Sequence, residues 1–128
     1  YGVLDPATRE LRLVNAAHPP PMLRHKSGKV EAFGSVTNFP IGAVDDNDFE
    51  EERVSLASGD ALCLYSDGIT EALNVEKELY GQDRLQESAA RRVSSAQQYM
   101  DNILNDVQDW VGTAYQSDDL TILCLRAR

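Results

Sequence analysis

Ala61-Leu62-Cys63-Leu64-Tyr65 is a continuous apolar and aromatic run that stops abruptly at Ser66-Asp67-Gly68. A short run of this kind between turn signals reads as a strand buried on both faces. The turn that feeds it is Ser55-Leu56-Ala57-Ser58-Gly59-Asp60. A second run, Leu120-Thr121-Ile122-Leu123-Cys124-Leu125, follows the polar Gln116-Ser117-Asp118-Asp119 and predicts a last buried strand. Each strand thus carries carboxylates at one end, Asp67 after the first and Asp118 with Asp119 before the second.

Toward the N-terminus the pattern is strand-like. Val3-Leu4, the turn Asp5-Pro6-Ala7-Thr8 and the alternating Glu10-Leu11-Arg12-Leu13-Val14-Asn15 predict a β-hairpin. Pro19-Pro20-Pro21 cannot continue a central strand. Met22 to His25, the turn Lys26-Ser27-Gly28-Lys29, and Val30 to Phe33 extend the hairpin into a β-meander. Residues 34–50 are loop-rich, and Asp45, Asp46, Asp48, Glu50, Glu51 and Glu52 read as a solvated acidic stretch. They lack the fixed spacing of a calcium loop.

After Asp67 the period changes. Leu85, Ala89 and Val93 fall four apart and predict an amphipathic helix over 82–93. Ser95 with Gln98 is a capping-box signature. The helix it opens places Tyr99, Ile103, Leu104, Val107, Trp110 and Val111 on one face as core, and Gly112 is its stop. Strands, then helices, then a strand make an α+β fold, mainly antiparallel sheet with helices packed on one side. We find no internal repeat.

The 128 residues set the prior at one domain, residues 1–128. Lys plus Arg is 12 and Asp plus Glu is 21, so the net charge is 12 − 21 = −9. That balance argues against a nucleic-acid partner and against a polybasic membrane anchor. No apolar run approaches the roughly 20 residues of a membrane-spanning helix, and the start has no signal-peptide pattern. The opening Tyr1-Gly2-Val3-Leu4 is already strand-like, so we expect the chain to start inside a fold. Cys63 and Cys124 read as buried thiols in a reduced, cytoplasmic setting. Neither has a second Cys within zinc-ligand spacing. A disulfide between them requires that their runs be neighbouring strands.

If the two runs are neighbours, Asp67 and Asp118 converge. Converging carboxylates repel, and a divalent cation relieves the repulsion. Oxygen donors without His or Cys favour Mg²⁺ or Mn²⁺ over zinc. The same residues also have plain readings, Asp-Gly as a turn and Asp-Asp as a polar loop.

Five segments, in order along the chain, carry a resemblance. Leu64-Tyr65-Ser66-Asp67-Gly68-Ile69-Thr70-Glu71-Ala72 resembles the Y-[ST]-D-G-[VI]-T-E-A segment of the metal-dependent type-2C (PPM) serine/threonine protein phosphatases. Asn15-Ala16-Ala17-His18-Pro19-Pro20 is similar to the N-A-G-H-P-P of their SpoIIE-like branch, and Pro40-Ile41-Gly42 to its P-[LI]-G. Leu79-Tyr80-Gly81-Gln82-Asp83-Arg84-Leu85 resembles [FY]-G-x-x-R-L, and Asp118-Asp119-Leu120-Thr121 resembles the terminal D-D-[IML]-T.

The resemblance implies an α-β-β-α sandwich in which two antiparallel sheets pack face to face between helices. It implies that Asp67 and Asp118 are catalytic ligands of a two-metal Mn²⁺ or Mg²⁺ centre. Asp119 would sit beside the metals without ligating them, and Gly68 would permit a tight backbone turn there. Glu71, four residues after Asp67, reads either as a carboxylate ordering a water near the metals or as a helix-start carboxylate favoured by the dipole. The resemblance also implies hydrolysis of phosphoserine or phosphothreonine on a bacterial regulatory protein, such as a phosphorylated anti-sigma-factor antagonist. Two departures stand out. Ala17 takes a position where relatives have Gly, and no segment like the family's upstream D-x-x-G-H-G is present. The chain therefore resembles the C-terminal portion of such a domain, holding two of the ligands and expected to be inactive alone. Apolar surface left uncovered would favour a homodimer or pairing with a first half. The other reading is a catalytically inactive phosphatase-like module that binds a regulatory partner. His18 reads as a structural hydrogen-bonding residue and His25 as strand decoration.

Overall fold

Period-two alternation builds two sheets that meet face to face. The computed structural model describes residues 1–35, 37–45, 48–116 and 118–128. In it β1 (Gly2–Leu4) and β2 (Glu10–Leu13) form the expected antiparallel hairpin, and β7 (Glu52–Ser55) pairs with the other edge of β2. A second, wholly antiparallel sheet has the order β5 (Val30–Ala32), β4 (Met22–Arg24), β8 (Ala61–Tyr65), β9 (Ile122–Arg126). A short parallel pair, β3 (Asn15–Ala16) with β6 (Thr37–Asn38), sits between them in sequence.

Alternate residues of β8 serve two cores. Leu62 joins Leu11, Leu13, Leu23, Phe33 and Leu56 between the sheets. Ala61, Cys63 and Tyr65 face the other way, toward α1 (Gly81–Ala90) and α2 (Ala96–Val111). There they pack with Leu85, Tyr99, Ile103 and Val107, each fully buried. The layers are therefore helices, sheet, sheet, with both helices on one side as the pattern predicted. Ser95 caps α2, its hydroxyl accepting from the Gln98 N–H at 3.0 Å. The return bond of the box goes one residue earlier, from the Ser94 N–H to Gln98 Oε1 at 2.7 Å.

Several expectations change. The meander breaks at Pro19–Pro21, where the chain leaves one sheet and enters the other: β2 pairs with β7, β4 with β8. α1 ends at Ala90, and Val93 reaches the same core from the linker to α2. Trp110 lies at the core margin. Its indole N–H donates to the Glu78 carbonyl at 3.3 Å, and the Arg84 guanidinium lies 3.8 Å from the ring centroid. β9 starts at Ile122 and is an edge strand among the described residues, with Leu123 57% exposed. Asp46 of the acidic stretch and Ser117 of the polar stretch before β9 lie outside the described residues.

Cys63 and Cys124 are register partners on β8 and β9, and both are free thiols. The Cys124 sulfur beside it, together with burial, pushes the Cys63 thiol up, so it keeps its proton and is no nucleophile.

Candidate metal centre

The turn after β8 is built from its own backbone. Asp67–Ile69 form a single 3-10 turn anchored by fully buried Ile69. The Asp67 carbonyl accepts the Glu71 N–H at 2.9 Å and the Thr70 hydroxyl at 3.0 Å. Asp67 Oδ1 accepts the Gly68 N–H at 3.0 Å.

Ser66 ties this turn to the segment before β9. Its N–H donates to the Thr121 carbonyl at 2.9 Å. Its hydroxyl donates to the Asp119 carbonyl at 3.2 Å and accepts the Thr121 N–H at 3.0 Å. The segments approach so closely that a Cβ at Gly68 would stand 2.5 Å from the Asp119 carbonyl oxygen. Only glycine fits without moving backbone, so the tight-turn reading of Gly68 becomes a close-approach one.

Asp67, Glu71, Asp118 and Asp119 are all exposed. Asp118 Oδ1 accepts the Asp119 N–H at 2.7 Å, and the Gln116 amide donates to the Asp118 carbonyl at 2.7 Å. Asp67 and Asp118 each have one carboxylate oxygen without a hydrogen-bond partner among the described residues. Asp118 and Asp119 line an open cleft of about 560 Å³ with Tyr115 and Gln116. Asp67 stands on the adjoining turn and does not line it.

This donor set suits a hydrated hard cation in kind, since it offers carboxylate oxygens only. It is incomplete in number: no group of three or more His, Cys, Asp or Glu side chains is close enough to hold a metal among the described residues. Neither histidine joins the carboxylates. His18 closes its own turn, its N–H donating to Asn15 Oδ1 at 2.9 Å. His25 is half-buried beside Glu31 at 2.9 Å and Asp60 at 3.5 Å, a more integral place than strand decoration.

Three other family-like segments turn out to be structural. Buried Asn15 donates to the His18 and Gly34 carbonyls at 2.9 and 2.8 Å. The Pro40 carbonyl accepts the Ala43 N–H at 3.0 Å, closing a turn. Tyr80 is buried, and its hydroxyl donates to Asp106 at 2.8 Å, fastening α1 to α2. Residue-by-residue reading missed Ser66, the hydroxyl that couples the two carboxylate segments. It also missed Asn38, whose amide donates to the Asn15 carbonyl at 2.9 Å and whose oxygen accepts the Glu50 N–H at 2.8 Å.

The layers match the PP2C-type phosphatase fold of solved structures. The chain belongs to the SpoIIE family, Stage II sporulation protein E, whose family model matches residues 1–128. It is 26% identical over 125 residues to Protein IcfG of Synechocystis sp., covering 98% of this chain and 20% of that protein. It is 33% identical over 69 residues to the Phosphoserine phosphatase RsbP of Bacillus subtilis, covering 54% of this chain and 17% of that protein. Among solved structures it matches the Mn-presoaked phosphatase domain of SpoIIE from Bacillus subtilis. That match has a TM-score of 0.74 at 19% identity, covering 99% of this chain and 55% of that one. The chain thus spans about a fifth of the curated relatives and about half of that solved domain. The family is one of metal-dependent phosphatases. No helix among the described residues is long and apolar enough to cross a membrane.

Proposed function

We propose that residues 1–128 are the C-terminal portion of a metal-dependent phosphoserine/phosphothreonine phosphatase domain. The observation that carries this is the close approach at Gly68, which sets Asp67 and Asp118-Asp119 on touching segments. In this reading Asp67 and Asp118 hold Mn²⁺ or Mg²⁺ through their free carboxylate oxygens. Asp119 and Glu71 stand beside the cation, and Ser66 and Gly68 keep the two segments in register. A bound divalent pair would supply charge stabilisation to an in-line attack on phosphorus. The substrate class is a phosphorylated regulatory protein such as an anti-sigma-factor antagonist, a reading supported by the phosphoserine phosphatase among the relatives. The setting is cytoplasmic.

Calorimetric titration of Mn²⁺ into the protein, beside Asp67→Asn and Asp118→Asn, tests the ligand assignment. Both variants should lose at least tenfold in Mn²⁺ affinity. Equal affinity in all three proteins would refute it. The second reading is a partner-binding module without turnover. Mn²⁺ binding without release of phosphate from a phosphoserine peptide, even after an upstream Asp-bearing segment is supplied, selects that reading.

A further inference from the structure

The opposite end of β8 holds an unexplained concentration of positive charge. Arg24 on β4, Ala61 on β8 and Arg126 on β9 are successive register partners. They therefore project to one face of the sheet, the two guanidinium-bearing residues about 10 Å apart at the backbone, two strand spacings. Ala61 between them is fully buried, and both arginines line the cleft beyond it. This cleft of about 490 Å³ is lined also by Lys26, Ser27, Gly28 and Arg92. Four of the chain's 12 basic residues thus line one cleft in a molecule of net charge −9.

No carboxylate is among the lining residues, and none of the four cations has an ion-pair partner among the described residues. Asp60, next to Gly59, is occupied by the Lys26 and Ala57 N–H groups at 2.9 and 3.0 Å. Arg91 is paired with Asp106. Arg24 is buried and, among the described residues, donates to carbonyls alone, those of Arg91 at 2.8 Å, His25 at 3.0 Å and Ala90 at 3.5 Å. Arg126 Nε is buried with no hydrogen-bond partner among the described residues. Arg24 caps the C-terminal carbonyls of α1 and, with Arg126, sets two guanidinium charges on the cleft that an anion there would offset.

We propose that this cleft is a binding site for a small phosphate-bearing dianion, at the end of the sheet remote from Asp67. Guanidinium forks suit the several acceptor oxygens of phosphate, and a dianion best offsets converging cations. The volume is that of a small-molecule site, and the overall negative charge disfavours a nucleic-acid backbone. The site does not depend on the phosphatase reading.

The test is calorimetric titration of inorganic pyrophosphate at fixed ionic strength with chelator present, so that metal-centre binding is silent. Saturable one-to-one binding is expected, weakened at least tenfold in Arg126→Gln and in the surface variant Lys26→Glu/Arg92→Glu, and unchanged in Asp67→Asn. The surface variant keeps the test decisive should Arg126→Gln fail to fold. Absence of saturable binding at millimolar pyrophosphate overturns the proposal. So does affinity that Lys26→Glu/Arg92→Glu leaves intact, binding lost in Asp67→Asn, or citrate binding as tightly as pyrophosphate.

Discussion

At Ala17 the backbone adopts φ 65°, in the left-handed region where a Cβ is unfavourable. The motif that this residue interrupts has glycine there, and the turn geometry supplies the reason. Ala17→Gly should raise the free energy of unfolding by about 0.5–1 kcal/mol, the left-handed strain relieved less the added entropy of glycine. Urea denaturation reads it, and an unchanged midpoint would contradict it. At Gly68 the sign reverses. Gly68→Ala forces a methyl against the Asp119 carbonyl. It should cost about 1–3 kcal/mol, as overpacking does, and weaken any Mn²⁺ binding by parting the carboxylate segments. A variant that is fully stable and still binds Mn²⁺ would show that the close approach is dispensable.

Among the elements, α2 is the one that closes the core over β8 and β9. Its buried stripe is narrower than the apolar spacing suggested: Tyr99, Ile103 and Val107 are fully buried, while Leu104, Trp110 and Val111 pack from the margin. Ile103→Ala should cost about 2–5 kcal/mol, the range for truncating a core side chain. Trp110→Ala should cost less than Ile103→Ala despite its larger side chain. Ser95→Ala should cost about 1 kcal/mol through loss of the cap. The three, ranked by thermal melts, separate core, margin and cap, and a Trp110→Ala loss exceeding that of Ile103→Ala would refute the ranking.

For the molecule as a whole, burial raises Tyr65, Tyr80 and Tyr99 above the ordinary tyrosine value of 10.0. A raised value means that the folded state holds the proton that the unfolded chain releases. Stability is therefore fully present below pH 10 and falls as pH rises beyond it. Unfolding midpoints followed from pH 8 upward should decline once pH passes about 10, the unfolded tyrosine value. Tyr99→Phe should flatten that decline. Its hydroxyl is buried without a partner among the described residues, so the variant should also gain about 1 kcal/mol at neutral pH, the cost of an unsatisfied group. A steeper decline in Tyr99→Phe would overturn this account.

Local physics explains what could be read directly from the chain. The apolar run 61–65 dictates a doubly buried strand, the cap at Ser95 starts a helix, and Asp67 and Asp118 announce themselves as carboxylates at strand ends, because periodicity and capping act between residues close in sequence. Tertiary structure decided the rest. The break of the meander at Pro19–Pro21, the contact of Gly68 with Asp119 and the row of Arg24, Ala61 and Arg126 all depend on which distant strands pair and in what register. That choice is made by how two cores fill on either side of β8, a property no local stretch of sequence contains.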